Sequence, residues 1–134
     1  MAGKVVIVHS LAQAEAALSA ASALGCPITL ASAPGASATV GIRWFQAVVE
    51  QATASYPDVA VSAVIDCAER PGEALAALRL GCTAVRFTGK RSAAAKLKAI
   101  AAEQGAEILT GRLSALDLLG QADPAAAART WLAQ

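Results

Sequence analysis

The 134 residues are enough for one domain with a packed core and too few for two. Hydrophobic residues reach 56% and charged ones only 16%, so the chain is expected to hide part of its surface against a second copy, as a homodimer or larger homo-oligomer. A net charge of +1 leaves no field that would gather nucleic acid or an anionic membrane, and neither is an expected partner.

The chain opens on Val5-Val6-Ile7-Val8, a β-branched run that reads as a strand. Residues 11–24 then place apolar side chains at helical spacing up to Gly25, a natural C-terminal cap. A second short strand covers residues 27–31, and the turn-forming residues 32–37 make a loop. A helix is predicted over 41–55, carrying Trp44, Phe45, Val48 and Val49 toward the interior. The third strand runs over 59–66. Pro71 stands where a helix can begin, and residues 73–80 continue it to Gly81. The fourth strand is 84–88; Ser92 is placed to cap a helix ending near Gln104, and 107–110 form the fifth strand. Two short helical stretches, near Leu116 and from Asp123 to the end, complete the reading.

The fold class is therefore α/β, with five parallel strands alternating with helices in a single domain over residues 1–134. Strands this uniformly apolar are buried on both faces, which calls for a parallel, helix-covered sheet. Periodicity alone leaves two architectures, an open doubly wound sheet and a run of strands from a barrel. Cys26, Cys67 and Cys82 are odd in number and lie in apolar stretches, which suits buried thiols in a reducing compartment. The start is too short for a secretory leader and no run reaches transmembrane length, so a cytoplasmic location is expected.

Several segments, in order, resemble the N-terminal half of class II fructose-bisphosphate aldolases. His9-Ser10-Leu11-Ala12-Gln13-Ala14 opens the first helix in the manner of that family. Cys26-Pro27-Ile28-Thr29-Leu30 with Ala33-Pro34-Gly35-Ala36 is similar to its second strand and following loop. Tyr56-Pro57-Asp58-Val59-Ala60-Val61 leads into the third strand, and Gly81-Cys82-Thr83-Ala84-Val85-Arg86-Phe87-Thr88-Gly89 matches the fourth with its closing glycine. Leu109-Thr110-Gly111-Arg112-Leu113 is a weaker echo of the fifth. The resemblance implies a partial, half TIM-barrel-like sheet in strand order 1-2-3-4-5.

The departures bear on function. The family's third strand ends His-x-Asp-His, where the aspartate moves protons and the last histidine binds a divalent metal. This chain reads Val64-Ile65-Asp66-Cys67 there: the aspartate is kept and the ligand is a cysteine. The family's strand-five carboxylate falls at Leu109, the polar residue ending strand two at Ala33, and the aspartate before the strand-four glycine at Thr88. One cysteine makes no metal site, since a catalytic zinc takes three protein ligands and an open position. No metal or cofactor is expected, and without one the class II reaction has nothing to polarise the ketose carbonyl.

Strand parity points Val64, Asp66, Arg86 and Thr88 into the would-be barrel. Asp66 and Arg86 on neighbouring strands suit a structural ion pair. A sharper reading makes Arg86, with Thr88 and Lys90, an anion site, and Asp66 an acid or base. His9, the only histidine, stands at the end of strand one, where barrel enzymes place chemistry. Gly35 in its small-residue loop is a candidate for cradling a phosphate with its amide. Two functions follow from these residues. The leading expectation is a non-catalytic, aldolase-derived protein that binds a partner or a small phosphorylated metabolite. The alternative is a metal-free lyase or isomerase acting on a small phosphorylated or carbonyl substrate, with Asp66 as acid/base.

Overall fold

The β-branched run at the start becomes a strand paired on both of its edges. In the computed structural model, which describes residues 3–134, β1 (Lys4–Ile7) is followed by α1 (Leu11–Leu24) and β2 (Ile28–Ala31). Then come the single turn α2 (Ala36–Thr39), α3 (Ile42–Ser55), β3 (Val61–Asp66), α4 (Pro71–Arg79) and β4 (Ala84–Arg86). The chain ends with α5 (Arg91–Glu103), β5 (Glu107–Leu109), β6 (Ala115–Asp117) and α6 (Pro124–Leu132). The sheet is parallel throughout and open, in the order β5-β4-β3-β2-β1-β6, with β5 and β6 as its edges.

From β1 to β5 every step moves one strand in the same direction. A right-handed crossover then sets each helix on the same side of the sheet. The main core lies between that side and the helices, from Val6, Ile28 and Leu30 on the strands to Leu18, Phe45 and Leu78 on the helices. A second, smaller cluster occupies the other face. Its members Val5, Ala31, Val64 and Ala84 come from strands, joined by Leu113 from the β5–β6 connection, and no helix contributes to it.

That helix-free face is nevertheless dry: Val5, Ala31, Val64 and Ala84 are 6%, 3%, 1% and 5% exposed. A flat sheet of six strands would hold its edges about 24 Å apart. Residues 110–114 link those edges with no helix, and such a link reaches at most about 20 Å from Leu109 to Ala115. The sheet therefore curls, and the link passes over the concave face with Leu113 packed into it. The inner face that a partial barrel would leave wet is covered within a single chain.

Four local expectations are corrected. The stretch near Leu116 is a strand, the sixth, because Val5, Val6 and Ile7 offer a free edge to Ala115, Leu116 and Asp117. The segment after Gly35, read as loop, closes a helical turn over Ala36–Thr39. Trp44 points outward at 39% exposure; helical rotation gives the buried face to Phe45, Val48 and Ala52 instead. The cap position of α5 is Lys90, which provides no side-chain cap, and Ser92 lies inside the helix. The cap of α1 is firmer: Ser10 Oγ accepts from the Gln13 amide, and Gly25 takes the left-handed conformation at the other end.

Among the described residues no helix is long and apolar enough to cross a membrane. The C-terminal helix packs on α1, and its Trp131 indole donates to the Val5 carbonyl, covering the β1 end of the sheet.

Candidate functional site

In a parallel α/β sheet, chemistry gathers where the strands end, because the loops there are free to carry polar groups. Here β3 ends on Asp66. Its backbone amide donates to Ser32 Oγ (2.9 Å), which ties it to the end of β2. Its carboxylate, 8% exposed, accepts from three donors. Oδ1 takes the amides of Gly35 and Ala68, both at 2.9 Å, and Oδ2 takes Arg86 Nη1 at 2.9 Å. Ala68 reaches its donating position in the left-handed region (φ 50°), which costs a non-glycine residue about 1–2 kcal/mol. The chain accepts local strain to complete this shell.

Arg86 comes from β4 in register with Asp66. Its Nε donates to the Gly111 carbonyl (3.2 Å), so one guanidinium joins β3 to the link that crosses the mouth. These bonds use two of its five N–H groups, and the rest remain for a ligand.

Above this pair lies a cavity of about 160 Å³, lined by Ile7, Ala31, Val64 and Leu113 on its apolar side. Ser32, Asp66, Arg86 and Arg112 form the polar side. Arg112 is exposed and has no side-chain hydrogen bond or ion pair among the described residues. Sequence reasoning passed over it: only the closeness of the β5–β6 link to β4 brings the two arginines to one cavity. The space holds about five water-sized groups, the size of a phosphate head rather than a whole metabolite.

The other candidate residues are dispersed. Thr88 does not share the cavity of Asp66 and Arg86. It lines a separate cleft with Arg91, Lys98 and Thr110, because β4 stops at Arg86 and the parity of the strand ends with it. Lys90 lines neither space. The Gly35 amide is committed to Asp66 and is not offered to a phosphate. A mainly apolar groove of about 530 Å³, between α3 and the turn before β4, lies toward the opposite end of the strands.

His9 stands at the end of β1. Its Nε2 lies 2.7 Å from Asp117 Oδ1 at the end of β6, and Asp117 is the partner that sequence reading missed. The ring lines a cavity of about 170 Å³ with Ser32, Thr39 and Trp44.

The divalent metal implied by the aldolase resemblance has no donor set to hold it. Among the described residues no three His, Cys, Asp or Glu side chains come together. Cys67 is fully buried. Burial pushes its thiol up to about 11; the Ser37 hydrogen bond opposes that shift, and the nearby Glu73 and Asp66 charges add to it. A thiol held protonated is a poor metal ligand. Asp66 is already engaged by three donors. No protein-family profile and no curated protein matches this chain.

Proposed function

We propose that the mouth of the curled sheet binds the phosphate, or an equivalent anion, of a small metabolite, on an aldolase-like scaffold that does not carry out the class II aldolase reaction. One observation carries this reading: Arg112, a guanidinium without a partner, lines the same concave space as Arg86, whose remaining N–H groups are unassigned. The only carboxylate there, Asp66, is already bonded to Arg86, so the cavity presents net positive charge to an incoming anion. Nothing in the geometry favours the rival role for Asp66 as acid or base, because both its oxygens are occupied by donors from three different elements.

The test is a thermal-shift titration of the purified chain with inorganic phosphate and small sugar phosphates, each with and without Zn²⁺. At about a hundred times its dissociation constant a ligand stabilises the fold by roughly 2.7 kcal/mol. A metal-independent shift that disappears in Arg112→Ala is expected. No shift with any phosphate, or the same shift in the variant, would refute the proposal.

A further inference from the structure

We propose that His9 is a nucleophilic base, positioned by Asp117, that acts on small uncharged esters in a cavity of its own. The argument begins with the proton. A carboxylate only accepts hydrogen bonds, so the 2.7 Å contact with Asp117 places a hydrogen on His9 Nε2. In the neutral ring, Nδ1 then carries a lone pair. That nitrogen has no partner among the described residues.

The ring is held from several directions. Asp117 Oδ1 also accepts the Leu119 amide at 2.9 Å, so the main chain sets the carboxylate's orientation. The His9 amide donates to Gln13 Oε1 at 2.8 Å, while Gln13 Nε2 reaches the Leu118 carbonyl at 3.4 Å. The end of β1, the first turn of α1 and the end of β6 thus form one frame around the imidazole. An oriented base with one free nitrogen is the arrangement from which nucleophilic catalysis is built.

The cavity that the ring lines sets what can approach it. Besides His9 its lining consists of Val8, Ser32, Ala33, Ala36, Thr39, Val40 and Trp44, none of them charged, which favours a neutral substrate. About 170 Å³ accommodates five or six water-sized groups, the scale of a short acyl ester. The two hydroxyls in the lining point elsewhere: Ser32 Oγ donates to the Ala33 carbonyl and Thr39 Oγ1 to the Ala36 carbonyl. No hydroxyl nucleophile stands between the imidazole and the substrate, so the ring itself attacks.

In the step proposed, Nδ1 adds its lone pair to the ester carbonyl carbon, and the bond to the alkoxy oxygen breaks with its electrons leaving on that oxygen. The acyl group stays on the ring as an acyl-imidazolium, whose positive charge Asp117 stabilises through Nε2–H. Water then adds to the acyl carbon and the carbon–Nδ1 bond breaks; one water proton goes to the departed alkoxide and the other stays on the acid, so carboxylic acid, alcohol and neutral imidazole result. The net change is ester plus water to acid plus alcohol.

The probe is p-nitrophenyl acetate, with p-nitrophenolate release followed for the full chain. Because the chain contains one histidine, His9→Gln removes every imidazole. The wild-type chain is expected to exceed an equal concentration of N-acetylhistidine, and His9→Gln to fall to the buffer rate. Asp117→Asn should be slower by about tenfold or more. Inorganic phosphate at concentrations that raise the melting temperature should leave the rate unchanged, which separates this proposal from the anion reading. A second readout needs no variant: nitrogen-15 chemical shifts of the single histidine should report Nε2–H and a bare Nδ1. A wild-type rate no greater than that of N-acetylhistidine, an unaffected His9→Gln, or a ring protonated at Nδ1 instead would overturn the proposal.

Discussion

Asp66→Asn is the substitution that most directly probes how the mouth is built. The asparagine carbonyl oxygen can keep the Gly35 and Ala68 amides, but its NH₂ then faces Arg86 Nη1, donor against donor. The negative charge that balanced the guanidinium is gone as well. Removing one partner of a fully buried pair costs about 3–5 kcal/mol. The arginine side chain is 23% exposed and water recovers part of its charge, so about 2–3 kcal/mol is expected here. For a chain of this length that is a fall in melting temperature of about 10 °C. Chemical and thermal denaturation of Asp66→Asn, Arg86→Gln and the double variant would measure it, with circular dichroism checking that the helices persist. The double variant should cost less than the two single losses added together, since each single change strands the other group. A loss below about 0.5 kcal/mol, or strict additivity, would show that the pair does not hold the mouth together.

Two further outcomes follow from other parts of the fold. Cys67 has its thiol raised from 9.0 to about 11 by burial, so the folded state resists ionisation that the unfolded state undergoes. Its contribution is intact below about pH 9 and is lost as pH rises toward 11, about 2–3 kcal/mol in all; urea denaturation across that range should show a steeper alkaline fall than in Cys67→Ala. Val40, Trp44 and Leu119 remain exposed on a chain that is 56% hydrophobic, and self-association is the expected result; sedimentation showing a monomer at high micromolar concentration would refute it.

The elements most legible from sequence were those with strong local signals. The β-branched start, the Leu11 and Gly25 boundaries of α1, and Pro71 at the head of α4 all fall within a residue or two of where the sequence places them. Around Leu116 three residues are too few to show a period, and what makes them a strand is the open edge of β1 over a hundred residues earlier. Trp44 is large and apolar, yet its phase on α3 faces it outward beside the buried Phe45 and Val48. At the mouth, Asp66 and Arg86 were paired by parity alone, since adjacent strands leave few alternatives. Arg112 and Asp117 carried no such signal. Each gains its place from the curl of the sheet, which brings β4 near the β5–β6 link and sets β6 beside β1.

The position of β1 has a consequence for how the chain acquires its structure. Its neighbours are β2, a few turns of chain away, and β6, whose residues 115–117 come from the last fifth of the sequence. Trp131 and Lys4 then bond across the same edge, the indole to the Val5 carbonyl and the ammonium to the carbonyls of Trp131 and Gln134. During synthesis β1 is therefore completed late, with one edge unpaired until residues 115–117 have emerged. Contacts of such long sequence separation slow folding, because the loop must close before any pairing repays it. Until then the exposed edge is a site for mispairing between nascent chains, and β6 is the element whose arrival ends that exposure.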